Sequence, residues 1–221
     1  TSHYDAEELE KVIELEGPDT ISAFIGEPVI GAAAGAYVPP DDYWPRISEI
    51  CARHDILVIA DEVMTGFGRL GTPMGHEALQ FTPDIIAAGK GLGGGYVPIG
   101  GVYCRPDVVA PIAETDLALM FYTFAGHDLC CAVAKKVLEI VRAENLIDRA
   151  RIMGELLRER LEQEFHDHPN VEEVRGRGLL QGLGLVANRD TGEPFPRSAA
   201  FADSVSRIAL ENGVWVYPSG S

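Results

Sequence analysis

Three side chains able to do chemistry stand where apolar runs end: Glu27 after "TISAFIG", Asp61 closing "ILVIAD" and Lys90 closing "PDIIAAGK". A lysine is costly to bury. Of the four lysines in the chain, Lys11, Lys135 and Lys136 sit among acids or on an expected helix face, while Lys90 has an apolar setting and a glycine-rich turn behind it, "GLGGGYVPIGG". Taken singly, Asp61 reads as a helix cap or a turn, and Lys90 as half of a buried salt bridge. Taken together, an acid, an acid and a lysine ending successive apolar runs describe one charged rim, where a ligand would be gripped.

The elements that must place them follow from pattern. "TISAFIGEPV" (20–29), "ILVIADEV" (56–63), "PDIIAAGK" (83–90) and "PIGGVYCR" (98–105) read as short strands. Continuous apolar runs suit strands covered on both faces. The gaps between the first three are long enough for crossovers, as parallel pairing demands. That is α/β organisation, and in such sheets ligands bind at the carboxyl ends of the strands. "PPDDYWPRISEICARHD" (39–55) reads as a helix with Asp41 or Asp42 at its start. From about residue 127 the spacing turns helical, over 127–145 and again over 146–168. Two short strands around a glycine turn (171–187), a helix (195–213) and the start of a strand at "VWVYPSGS" complete the chain. The predicted division is 1–145, part of a large domain, and 146–221, part of a small α+β domain.

Composition bounds the function. The chain of 221 residues has a net charge of −16, against nucleic acid, which wants a basic face. It also disfavours anionic membranes, and no apolar run is long enough for a span. The start, "TSHYDAEELEKV", has the pattern of neither a signal nor a transit peptide. Its first residue is not Met, which is compatible with processing or truncation. Cys51, Cys104, Cys130 and Cys131 form no C-x-x-C pair, so the expectation is buried thiols in a reducing cytoplasm. "ILVIADE" also resembles a Walker B strand. The only Gly-Lys pair, Gly89-Lys90, lies downstream of it, is followed by Gly91 rather than Ser or Thr, and lacks a glycine at the spacing a P-loop needs. His54, His76 and His127 lack the spacing of a zinc or Ser-His-Asp site.

"AFIGEPVIGAAAGAYVPPDDYWPRISEICARHDILVIADEVMTGFGRLG" followed by "PDIIAAGKGLGGGYVPIGG" resembles the class III (ω-) aminotransferases, pyridoxal-phosphate enzymes of fold type I. "YTFAGHDLCCA" resembles their next motif and "VRGRGLLQGLGLV" the opening of their C-terminal domain. The resemblance implies the second half of the large domain plus part of the small one. It implies that Lys90 bonds the cofactor covalently and moves a proton between carbon atoms, desolvation keeping its amine available near neutral pH. It implies that Asp61 pairs with the pyridinium nitrogen and Val63 packs on the ring. Thr123 would bind the cofactor's phosphate in the other subunit of a homodimer, aided by the helix that starts near His127. Gly91 and Gly93 to Gly95 would allow close backbone approach. Glu27 would support the site from behind, and Met64 and Arg69 would be structural or dimer-related.

The chain departs from the family pattern in three ways. Met64 stands where many members carry Gln, and it cannot donate that residue's hydrogen bond. "EPVIGAAAGAY" has alanines where some members carry a glutamate, which favours amine, β-alanine or taurine-type donors over ornithine-type ones. The chain resembles roughly half of a member. The glycine-serine/threonine phosphate loop, the stacking aromatic and the carboxylate-gripping arginine have no counterpart, and Arg175, Arg177 and Arg197 match none of them. The activity implied is transfer of an amino group from a primary amine or ω-amino acid to a keto acid or aldehyde, pyruvate-type acceptors included. A decarboxylase or aminomutase of the same fold, and a non-catalytic fragment, are the alternatives.

Overall fold

A computed structural model of the chain describes residues 5–115 and 122–219. The first helix, α1 (Ala6–Glu16), is absent from the sequence reading. Its start is fixed by Asp5, whose side chain accepts from the Glu7 N–H at 3.0 Å. It ends at Gly17, in the left-handed region at φ 86°. Strand β1 (Ala23–Gly26) leads through a loop to α2 (Tyr43–Arg53). Trp44, Ile47, Ile50 and Cys51 recur at helical spacing and form the buried face of α2. Asp42 holds the N-cap position without capping: its carboxylate lies 3.8 Å from Arg46 instead. Helices α1 and α2 are joined by Arg46 to Glu7, Arg53 to Glu10, and His54 to Glu10 at 2.7 Å.

Strands β2 (Leu57–Asp61) and β3 (Ile85–Ala88) follow, with the one-turn helix α3 (Gly75–Ala78) between them, then β4 (Gly101–Cys104). The sheet order is β1-β2-β3-β4. The first three strands are parallel, as their long connections require, and β4 runs antiparallel to β3 after the short glycine-rich turn. Within this chain one face of the sheet is covered. Val58 and Ala60 are buried on it under α2, whereas Leu57, Ile59 and Asp61 alternate half-buried on the other. The sequence reading of strands covered on both faces is met on one. The core centres on Trp44, stacked on Phe81 with ring centroids 4.1 Å apart.

Helix α4 (Pro106–Ala113) is apolar yet has no buried residue. Helices α5 (Asp128–Ala143) and α6 (Leu146–Phe165) meet at Asn145, itself left-handed at φ 51°. The antiparallel pair β5 (Val171–Arg177) and β6 (Leu180–Leu185) packs against α6, and α7 (Phe201–Glu211) follows. The expected last strand is not formed: residues 214–219 are irregular. The turn between β5 and β6 ties back to the first sheet's loops. Leu179 N–H donates to the Arg69 carbonyl at 3.0 Å, and Arg175 Nε donates to the Gly35 carbonyl at 2.9 Å.

Candidate active site

Parallel pairing puts the carboxyl ends of β1, β2 and β3 on one rim. The register pairs Gly26 with Ala60 and Asp61 with Ala87. Glu27 therefore stands beside Asp61, and Lys90 lies three residues beyond Asp61's partner. The three residues singled out by their positions in the sequence share that rim.

Asp61 is half-buried. One carboxylate oxygen accepts from the Val63 N–H at 3.0 Å, and among the described residues the other has no partner. The turn reading of Asp61 is thus realised by half of the carboxylate only. Lys90 opens a 3-10 turn, Lys90–Leu92, with φ 37°, a region a non-glycine residue seldom occupies. Its side chain makes no ion pair or hydrogen bond among the described residues. The other three lysines do: Lys11 with Glu8, and Lys135 and Lys136 with Glu139. Lys90 is also exposed, so the expected desolvation is not supplied by this chain alone, and among the described residues it forms no salt bridge. The Val63 methyl groups stand 3.7 Å from where a Cβ on Gly89 would be, which sets Val63 against the residue before Lys90.

Glu27 supports the rim from the neighbouring loop. Its Oε2 accepts from the Gly31 N–H at 3.0 Å, and a Cβ on Gly31 would lie 2.4 Å from the Met64 sulfur. Met64 is thereby read as packing between the loop after β1 and the loop after β2. Thr123 lies in an exposed turn ahead of α5, flanked by Tyr122 and Phe124, which are 63% and 77% exposed. His127 holds the N-cap position of α5 without a side-chain bond, and its Nδ1 is buried without a partner. Of the expected apolar stretch 117–126, residues 117–121 lie outside the described residues. In the glycine run, Gly93 is packed against Val97 and Ile99, whereas a Cβ on Gly95 would meet nothing within 4 Å. The cysteine expectation holds for Cys51 alone: Cys104 and Cys131 are exposed and Cys130 is half-exposed.

One residue escaped the sequence reading. Glu62 is fully buried. Burial opposes its charge, but hydrogen bonds from the His76 ring, the Thr65 hydroxyl and the His76 and Gly75 N–H groups outweigh burial and hold the carboxyl below its ordinary range. In the sequence Glu62 stands as the second acid of a Walker-like pair and within the D-E-V run of the family resemblance. The available signal was its place: an acid following a strand's last residue falls on the opposite face from Asp61.

Residues 2–221 match the family described as aminotransferase class-III. The chain belongs to that family. It is 42% identical over 190 residues to the putrescine–pyruvate aminotransferase of Pseudomonas aeruginosa, which covers 86% of this chain and 41% of that relative. It is 41% identical to a chloroplastic gamma aminobutyrate transaminase of Solanum lycopersicum, over 97% of this chain and 42% of that one. Among solved structures, the (S)-enantioselective ω-transaminase of Thermomicrobium roseum superimposes with a TM-score of 0.92 at 40% identity, over 97% of this chain and 48% of that one. A PLP-bound amine transaminase from an uncultivated Pseudomonas species gives 0.92 at 41%, over 97% and 49%. The fold is that of the fold-type-I transaminases, and the chain spans about half the length of the relatives it matches.

Proposed function

We propose that the protein carrying this chain is a pyridoxal-phosphate-dependent transaminase. It would move an amino group from a primary amine or ω-amino acid to a keto acid or aldehyde. The observation that carries the reading is the rim itself: just past the end of β3 a lysine that is unpaired among the described residues and, on the adjacent strand, an aspartate with one oxygen unengaged by them. The relatives' names point to the substrates: putrescine, pyruvate, gamma aminobutyrate and, in Capsicum, vanillin.

The residues fit the cofactor. Among the described residues Asp61 has one oxygen without a partner, which could take the ring N–H, Lys90 has an amine without a partner, and Val63 supplies apolar surface beside Gly89. Pyridoxal phosphate, when bound, supplies an aldehyde for the amine and a ring that takes up the electron pair left when a carbon loses its proton. Asp61 would accept from the ring N–H and so keep the proton on that nitrogen. Lys90 Nζ would hold the cofactor through its aldehyde group and would carry the proton to and from the substrate's amine-bearing carbon. Glu27 steadies the Gly31 loop behind them. Thr123 contributes to the partner subunit's phosphate site in a homodimer, a role its exposed turn allows. We read 1–145 as large-domain and 146–221 as small-domain sequence. We assign the protein to the cytoplasm, where the exposed thiols of Cys104 and Cys131 stay reduced. No helix among the described residues is long and apolar enough to cross a membrane.

The test is chemical. The full-length protein, purified with pyridoxal phosphate, should be yellow and should bleach with borohydride, and peptide mapping should find the added mass on Lys90. An adduct on another lysine, or no chromophore, overturns the assignment.

A further inference from the structure

Glu62 is the one charged residue among the described residues that is fully buried, and the proposed reaction gives it no part. Its two oxygens collect four donors from residues 65–76. Oε2 accepts from the Thr65 hydroxyl at 2.5 Å and the Gly75 N–H at 2.8 Å. Oε1 accepts from the His76 N–H at 2.7 Å and the His76 Nδ1 at 2.9 Å. A carboxylate only accepts, so a set of four donors suits it and suits no amide. The donor role also assigns the ring proton of His76 to Nδ1.

The backbone of Glu62 is tied as firmly. Its N–H donates to the Ala87 carbonyl of β3 at 2.8 Å, and its carbonyl accepts from the Gly66 N–H at 3.0 Å. The network runs on from His76. The His76 ring meets Phe81 edge-on at 6.0 Å, Phe81 stacks on Trp44, and Trp44 Nε1 donates to the Pro28 carbonyl at 3.1 Å. Pro28 follows Glu27 and Glu62 follows Asp61. The residues just behind both rim acids are therefore anchored to one buried set of contacts.

We infer that Glu62 is a positioning residue for Asp61. Clamped from the far side of the strand end, it fixes peptides 61–63 so that the Val63 N–H engages one oxygen of Asp61 and leaves the other free for the cofactor. The inference rests on the reading of Asp61 as the ring's partner.

The test uses the full-length protein far below its melting temperature. Glu62→Gln sets N–H groups against N–H groups, His76→Ala removes a donor, and His76→Asn keeps one near the position of Nδ1. Two quantities are read: amide exchange at Val63 in the cofactor-free protein, and the pH midpoint of the bound cofactor's absorbance. Glu62→Gln and His76→Ala should speed Val63 exchange by about tenfold or more and move the midpoint in the direction that Asp61→Asn moves it. His76→Asn should restore both. A lowered melting temperature with Val63 exchange and the midpoint unchanged overturns the proposal and makes Glu62 a fold anchor only. Should Glu62→Gln fail to fold, the His76 pair decides. If Asp61→Asn itself leaves the absorbance unchanged, the cofactor reading fails, and the exchange measurement alone decides whether Glu62 positions the strand end.

Discussion

A Cβ on Gly154 would lie 2.3 Å from the carbonyl carbon of Gly178, and one on Gly178 would lie 2.5 Å from that of Leu70. Helix α6, the β5–β6 turn and the loop after β2 are stacked backbone on backbone. Gly154→Ala gains roughly 1 kcal/mol of helix propensity, but backbone cannot withdraw from a contact so close. We expect a net destabilisation of about 1–3 kcal/mol, read as a lower urea midpoint with unchanged slope. A variant as stable as the parent would show that α6 is free to slide.

Asp61→Asn should fold normally and transaminate far more slowly. The amide cannot keep the ring nitrogen protonated, so the electron pair released at the substrate carbon has no sink. A loss of less than about tenfold, roughly 1.4 kcal/mol of barrier, would contradict the role given to this residue. The measurement is single-turnover kinetics with a saturating amine.

Thr123 should lie nearer the partner's Lys90 than its own. Tyr122, Phe124 and Leu129 are each more than 60% exposed in the single chain, a concentration of apolar surface that soluble monomers avoid. A cross-linking map or a crystal structure of the full protein checks the distance. A stable monomer at high concentration would refute the shared site while leaving Lys90 and Asp61 in place.

Acid should uncouple Glu62 from stability in a defined direction. Its folded pKa lies below the ordinary 4.5, so its contribution is fully present above that value and is lost as pH falls through the folded one. The stability gap between parent and Glu62→Gln should therefore be widest near neutrality, at least about 1–3 kcal/mol for a charged group's lost partners. It should shrink as pH falls below 4.5 and close once pH has passed the folded pKa. Urea titrations between pH 3 and 7 measure it, and a gap independent of pH would refute the sign.

Burial pushes the Cys51 thiol up to about 11. The thiolate is the reactive form, so at pH 8 this cysteine should resist alkylation until the protein unfolds. Mass mapping with and without denaturant gives the answer. Labelling of native protein at Cys51 would mean that the α2 face opens readily.

The rim was legible in the sequence because three chemistry-bearing residues each end an apolar run, and run length separates parallel crossovers from the short antiparallel return to β4. Where sequence reasoning fell short, the deciding interactions join distant positions. Helix α1 is polar on most of its surface and is held by Arg46, Arg53 and His54 from some 40 residues away. Glu62 looks like an ordinary rim acid until residues 65–76 fold over it. The exposure of Lys90 depends on what covers the rim, which no local pattern records. Residues 214–219 have the composition of a strand, yet among the described residues no neighbouring edge pairs with them.

The latch between Arg175 and Gly35 spans 140 positions, and the one between Ser219 and Ala32 spans 187. Chains emerge at about 5–20 residues per second, so on the ribosome the loop 31–37 waits roughly 7–28 s for its first clasp. From Lys90 onward in that interval the rim residues are already made while their brace is still to come. Synthesis rate thus enters the protein's fate directly. A slow stretch of codons between β4 and Arg175 would lengthen the exposure of an unbraced apolar sheet, and a chaperone that holds nascent apolar segments would find its longest opportunity there.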